Sequence, residues 1–160
     1  MPSGQEFVTH EFDEAIAVQT AIVDAGEKLS RDHPWTEARR VIQSALQQDR
    51  SQLTQLAKYG KKFGAAGKRE EVAGALAALM EETAAKASTE ESEAYEAQAV
   101  LLNLKRKQQD SADAVHKMAR DMGEIALRDD ALKMKRAIKR SADDLAKNLS
   151  RFAVRIAATG

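Results

Sequence analysis

Residues 89–122 decide the fold and read TEESEAYEAQAVLLNLKRKQQDSADAVHKMARDM. The stretch contains neither proline nor glycine. Ser88 and Glu91 match a capping box at its start, and Gly123 is a stop signal after its end. Small and apolar residues, with one amide among them, recur at helical spacing along one face: Ala94, Leu101, Leu104, Gln108, Ala112, Val115, Ala119 and Met122. The pattern predicts one long amphipathic helix that packs this face against other helices.

The same periodicity predicts three helices before this one and one after it. The first covers residues 8–30, and the second covers residues 34–63 with Pro34 in its first turn, where a missing N–H is tolerated. In the connection between them, His33 is assigned an N-cap role. A shorter helix over residues 68–86 follows a glycine-rich break. Asp129 or Asp130 is the predicted N-cap of the last helix.

Short breaks join the first two long helices and the last two, so each pair should form an antiparallel hairpin. The short alanine-rich helix then bridges the two hairpins. The predicted fold is all-α: an antiparallel four-helix bundle with a short helical crossover between two helical hairpins. Residues 1–160 form a single domain, with its core over about residues 8–157.

Composition excludes several classes of protein. The chain has no cysteine, two prolines and eight glycines, and 43% of its residues are hydrophobic but only 4% aromatic. Disulfide frameworks and thiolate metal sites are excluded, and disorder or a β-sandwich is disfavoured. No apolar run reaches the roughly 18 residues of a membrane span, and the acidic N-terminus does not resemble a secretory signal. We therefore expect a cytoplasmic protein with no membrane span.

Five polar residues are predicted to form a layer at the middle of the bundle. Gln19, Asp49 and Gln108 fall near the centres of their apolar stripes, and Ser141 and Asn148 flank the inward-facing Leu145. One interpretation is a structural network that fixes helix register, in which Asp49 pairs with an amide, a hydroxyl, or an inward-reaching Arg or Lys. The other is a ligand or metal site. The structural interpretation is favoured, because buried polar groups are usually satisfied by protein partners.

Two hairpins, a long crossover and mid-bundle polar groups resemble the ferritin-like superfamily in architecture. That resemblance implies a di-iron site built from a Glu on each of two helices and an E-x-x-H pair on each of the other two. The corresponding positions here read Gln19, DRSQ at residues 49–52, Gln108, and SADD at residues 141–144. Neither E-x-x-H pair is present. The resemblance therefore implies a bundle whose metal centre is absent, and no cofactor is expected.

Motifs for other chemistry are incomplete. His10 begins an H-E sequence that lacks the second histidine of a zinc protease, and Asp113 with His116 forms an isolated pair without further ligands. The glycine-rich segment before Lys68 lacks the first Gly and the final Ser or Thr of a phosphate loop. No Gly-x-Ser-x-Gly elbow occurs. The sequence supports no enzyme class.

The net charge of zero conceals a strong segregation of charge. Residues 1–34, 35–69, 70–104, 105–130 and 131–160 carry net charges of −5, +6, −7, 0 and +6. Six basic residues are expected on the exposed side of the last helix: Lys133, Arg136, Arg140, Lys147, Arg151 and Arg155. They could bind an anionic partner, or they could pair with acidic helices of the bundle. The second interpretation is favoured and nucleic acid disfavoured, because no aromatic residues alternate with the basic ones.

The expected function is that of a non-catalytic helical bundle with a structural, binding or stress-associated role. One alternative is a metal-binding oxidoreductase with an unusual site around Asp49. Another is an interaction module that binds an anionic partner through the basic last helix. A homo-oligomer or a protein partner is also expected, because four apolar residues lie off the central stripes: Val18, Val100, Leu102 and Val154.

Overall fold

The computed structural model describes residues 4–65 and 90–159, which form four α-helices and, within those ranges, no strand. The helices are α1 (Gly4–Asp32), α2 (Thr36–Lys62), α3 (Glu91–Asp121) and α4 (Ile125–Thr159). The predicted short helix over residues 68–86 and the predicted cap Ser88 lie outside the described residues. None of the helices in the described ranges has an apolar run that could cross a bilayer.

The turn between α1 and α2 corrects two predictions. Helix α2 begins at Thr36, so Pro34 precedes the helix, and Trp35 occupies the N-cap position in an extended conformation without a side-chain cap. His33 is not the N-cap; its Nδ1 accepts a hydrogen bond from the Trp35 N–H at 3.1 Å. This bond holds the turn and explains why the second helix starts later than Pro34 suggests.

Helix α4 starts earlier than the aspartate caps predict. Gly123 adopts a positive φ of 71°, and the Glu124 N–H bonds to the Ala119 carbonyl at 2.9 Å, which closes the end of α3. The next helix can then begin at once, and Ile125 is its first residue. Burial of Leu127, which is 3% exposed, favours the early start. Asp129 and Asp130 therefore lie inside α4 and cap nothing.

The four helices pack as a bundle in which each contacts two neighbours. Helix α1 packs against α2 and α3, and α4 packs against α3 and α2, whereas the diagonal pairs α1–α4 and α2–α3 make no close backbone contact. Two apolar clusters fill the interior. The first includes Ile22, Leu29, Ile42, Leu101, Leu145 and Phe152. The second includes Phe12, Leu56, Val115, Leu127, Met134 and Ile138.

The prediction of an outer apolar surface is wrong for Val18. Because α1 contacts neighbours on both flanks, its buried face is wider than one stripe, and Val18 lies in the first cluster at 1% exposure. Val100 and Leu102 are partly buried against the same cluster. Val154 is exposed.

Candidate functional site

A network of four buried side chains lies at the middle of the bundle. Gln19 donates from Nε2 to the backbone carbonyl of Asp49 at 2.7 Å, and Gln108 donates from its own Nε2 to Gln19 Oε1. The Asp49 carboxylate accepts a hydrogen bond from Lys105 Nζ, also at 2.7 Å. We call these four residues the central network. It links α1, α2 and α3, and the Lys105–Asp49 pair joins helices that are otherwise diagonal.

The ion pair at the centre of this network is almost completely dehydrated. The Lys105 and Asp49 side chains are 0% and 3% exposed. Burial raises the pKa of the Asp49 carboxyl, and the charge and hydrogen bond of Lys105 oppose that rise. Burial lowers the pKa of the Lys105 ammonium, and Asp49 opposes that change. Each group therefore depends on the other to remain charged inside the bundle.

The sequence prediction missed Lys105, although a signal for it exists. The buried polar and apolar residues of α3 follow alternating steps of four and three residues: Ala94, Gln98, Leu101, Lys105, Gln108, Ala112, Val115 and Ala119. Gln98 and Lys105 occupy two positions of this seam. A lysine at such a buried position, opposite the predicted buried Asp49, indicates that Lys105 is the partner of Asp49.

There is little space for a ligand beside the central network. The adjoining cavity, which Gln19, Gln52 and Gln108 help to line, has a volume of about 20 Å³. Small-molecule sites typically enclose roughly 300–1,000 Å³. The central network therefore has the geometry of a packed polar core.

Asn148 belongs to a different network from the other predicted layer residues. Its Oδ1 accepts a hydrogen bond from Gln98 Nε2 at 2.7 Å, and Gln98 Oε1 lies 2.9 Å from His33 Nε2. His33, Gln98 and Asn148 are 0%, 0% and 4% exposed. We call them the terminal network, because the α1–α2 turn supplies His33. The sequence prediction of one layer is thus replaced by two separate networks.

The direction of every hydrogen bond in the terminal network follows from His33. Its Nδ1 accepts from the Trp35 backbone, so Nε2 carries the proton and donates to Gln98 Oε1. The Gln98 amide must then present its NH₂ to Asn148 Oδ1. The Asn148 NH₂ remains, and its Nδ2 is buried without a hydrogen-bond partner among the described residues. Burial lowers the pKa of His33, chiefly by desolvation, and so favours the neutral ring that this order requires.

Ser141 joins neither network. It is half-buried, its Oγ has no hydrogen-bond partner among residues 4–65 and 90–159, and Ala142 rather than Ser141 lies in the core. Ser141 and Asn148 instead line a groove between α2 and α4. The other three predicted layer residues do not reach this groove.

The remaining predicted groups lie on the surface or in separate pairs. Asp113 pairs with Lys117 and Lys135, which hold its pKa at about 2, and His116 Nδ1 lies 3.0 Å from the Arg128 carbonyl oxygen. All six predicted basic residues of α4 are exposed, although Arg151 contacts Glu37. Across residues 4–65 and 90–159, no group of three or more His, Cys, Asp or Glu side chains is placed to hold a metal ion.

Comparison of the chain with models of known protein families, with curated proteins and with solved structures finds no match. Functional inference therefore depends on the two networks and the groove.

Proposed function

We propose that the protein is a non-catalytic helical bundle of ferritin-like architecture with a structural or binding role. In this proposal the Lys105 ammonium neutralises the buried Asp49 carboxylate, a task that metal ions perform in ferritin-like metalloproteins. The observation that carries the proposal is the 2.7 Å contact of Lys105 Nζ with Asp49 Oδ1, with both side chains buried.

Contacts at both ends of the bundle support the antiparallel arrangement. Glu37, near the start of α2, contacts Arg151 near the end of α4. At the other end, Tyr59 donates a hydrogen bond to Asp130 at 2.5 Å, and Lys62 lies 2.6 Å from Glu124. Helices α2 and α4 therefore run in opposite directions in this proposal.

The positions of the residues just before and just after residues 66–89 support a crossover. Ala65 belongs to the apolar cluster that contains Phe12 and Leu127. Helix α3 starts at the other end, where its residue Ala94 packs in the cluster that contains Leu29. The described residues on the two sides of residues 66–89 thus lie at opposite ends of the bundle, which is the arrangement expected for two hairpins joined as in ferritin-like proteins.

The side chains at the bundle centre do not fit a di-iron centre. Gln19 and Gln108 stand where carboxylates would be required, and Asp49, the only buried carboxylate among residues 4–65 and 90–159, is paired with an ammonium group. A cation added beside Asp49 would meet the Lys105 charge at close range, which is unfavourable in a dry interior. We derive no metal chemistry for this site.

Metal analysis of the wild-type protein and of an Asp49→Asn variant tests the proposal. Protein purified without chelators should contain substoichiometric iron, manganese and zinc, and the substitution should change stability without changing metal content. Stoichiometric metal that Asp49→Asn removes would instead support the alternative of an oxidoreductase site around Asp49.

A further inference from the structure

A groove lies between α2 and α4. Its volume is about 530 Å³, within the range of roughly 300–1,000 Å³ typical of small-molecule sites. Small residues line it on both helices, Ala45 on α2 and Ala137 and Ser141 on α4, and so leave space between them. Of the four neighbouring helix pairs, α2 and α4 also pack least extensively.

Three buried polar atoms that have no hydrogen-bond partner within the described part of the chain belong to residues that line this groove. They are Asn148 Nδ2, Ser141 Oγ and Gln48 Oε1. Buried polar atoms are almost always hydrogen-bonded, so three around one groove require an explanation. The terminal network gives Asn148 a fixed orientation, because its Oδ1 is already used by Gln98. Asn148 therefore offers a buried NH₂ donor that no rotation of the amide can satisfy internally.

The charge around these atoms is positive. Arg40, Arg140, Lys147 and Arg151 line the groove together with two acidic residues, Glu37 and Asp144. Arg151 is paired with Glu37, whereas the other three basic residues have no ion-pair partner among residues 4–65 and 90–159. The groove is lined by four basic and two acidic side chains, a net charge of +2, and this excess together with two free donors attracts an acceptor that carries negative charge.

We propose that this groove binds a small hydroxylated organic anion. Its phosphate or carboxylate oxygens accept hydrogen bonds from Asn148 Nδ2 and Ser141 Oγ and lie among Arg40, Arg140 and Lys147. A hydroxyl of the same molecule donates to Gln48 Oε1. The site lies outside the central network, so the proposal does not depend on whether the bundle centre is free of metal.

The shape of the site favours a small molecule over a polyanionic surface. Asn148 is 4% exposed and lies at the base of the groove, between two helix walls. A nucleic-acid backbone or a membrane would reach the exposed arginines of α4 but not this amide. Dependence of binding on Asn148 therefore distinguishes a small anion from a nucleic acid or a membrane.

Calorimetric titration with glycerol 3-phosphate and with citrate, at constant ionic strength, tests the proposal. Both probes carry a hydroxyl, and they distinguish a phosphate from a carboxylate as the preferred anion. Wild-type protein should bind at least one of them at a ratio of one to one with a Kd below about 1 mM. Absence of saturable binding of both probes would overturn the proposal.

Four variants locate the site. Asn148→Asp keeps the oxygen that Gln98 needs but places a carboxylate where the donor was, so binding should weaken at least about tenfold. Arg140→Gln and Lys147→Gln should each weaken it about threefold to tenfold. Lys133→Gln is the matched control, because it removes the same charge from the same helix outside the groove and should leave Kd unchanged.

Two outcomes contradict the assignment. Equal weakening by Lys133→Gln and Arg140→Gln would show a general attraction to the basic surface of α4. Unchanged binding in both Arg140→Gln and Lys147→Gln would place the anion elsewhere. Circular dichroism shows whether Asn148→Asp folds. If it does not, the Kd values of Arg140→Gln and Lys147→Gln, compared with that of Lys133→Gln, still test the assignment.

Discussion

The central network and the terminal network are both buried, yet they end differently. The central network contains an ion pair whose two charges satisfy each other, Lys105 with Asp49. The terminal network is a chain of neutral groups that begins at the Trp35 backbone and stops at an Asn148 amide without an acceptor. Among the described residues, the central network ends in one unpartnered acceptor, Gln108 Oε1, beside a cavity of about 20 Å³. The terminal network ends in an unpartnered donor, Asn148 Nδ2, of a residue that lines the much larger α2–α4 groove.

The comparison predicts different penalties when each network is broken. A buried charge that loses its partner is far less stable than a neutral amide that loses one. The central network also connects the diagonal helices α2 and α3, which no close backbone contact joins. Damage there should lower the stability of the whole bundle, whereas damage to the terminal network should change one end and the groove.

The largest effect is expected for Lys105→Met. This change leaves the Asp49 carboxylate buried without its cation and should lower the free energy of unfolding by about 3–5 kcal/mol. Urea unfolding followed by circular dichroism measures the loss. Lys107→Met is the matched control, since Lys107 lies on the same helix and pairs with Glu14 at an exposed position.

The double variant Asp49→Leu with Lys105→Met separates a charge effect from a packing effect. Replacement of both partners by apolar residues removes the unpaired charge, so most of the lost stability should return. A double variant as unstable as the single one would show that Lys105 contributes through its shape and not through its pairing.

A smaller effect is expected for Gln98→Leu. This substitution removes the two neutral hydrogen bonds that the amide makes to His33 Nε2 and Asn148 Oδ1. Each contributes about 0.5–1.5 kcal/mol, so the free energy of unfolding should fall by about 1–3 kcal/mol. Anion affinity in the groove should fall as well, because Asn148 loses its fixed orientation. A loss of stability equal to that of Lys105→Met would contradict the ranking of the two networks.

The central network was largely predictable, since periodicity placed Gln19, Asp49 and Gln108 on inward faces and the burial of Asp49 demanded a donor. Lys105 itself escaped prediction because lysine side chains are usually exposed, and only the spacing along α3 indicates otherwise. The terminal network was not predictable in this way. His33 lies in a turn, where helical periodicity carries no information, and its partner Gln98 is 65 residues away along the chain.

The ends of the helices were also not fully predictable from local sequence. Asp129 and Asp130 are good cap residues by local preference, but burial of Leu127 and the turn at Gly123 extend α4 beyond them. Local preference was overridden by packing at this end. Ser141 shows the complementary error, since a small shift of the buried face of α4 places Ala142 in the core and Ser141 at the groove.

His33 should make the free energy of unfolding depend on pH. This change should be smaller than the loss expected for Lys105→Met or for Gln98→Leu. Burial lowers the pKa of His33 in the folded state from its ordinary 6.5, so below that value the unfolded chain binds a proton that the folded chain does not. The free energy of unfolding should therefore be highest above about pH 6.5 and decrease as the pH falls through it.

Urea titrations between about pH 7.5 and 5.5 measure this contribution above the range in which ordinary carboxyl groups titrate. Fluorescence of Trp35, the single tryptophan, reports unfolding, because its ring stacks on Phe152 in the fold. His33→Gln should flatten the pH dependence, and substitution of the exposed His10 by Gln should preserve it. A profile that is equally steep in His33→Gln would contradict the neutral, buried imidazole.

The smallest effect is expected for Arg50→Gln, which tests whether burial gives the Lys105 pair its importance. Arg50 pairs with Glu27 at 2.9 Å, a separation close to that of Lys105 and Asp49, but the two side chains are 52% and 43% exposed. Water already solvates both charges, so the substitution should change the free energy of unfolding by less than about 1 kcal/mol. A loss as large as that of Lys105→Met, measured in the same urea titration, would show that ion-pair contact alone sets the penalty. A small loss instead assigns the difference between the pairs to desolvation, since a charge that stays in water does not require its partner.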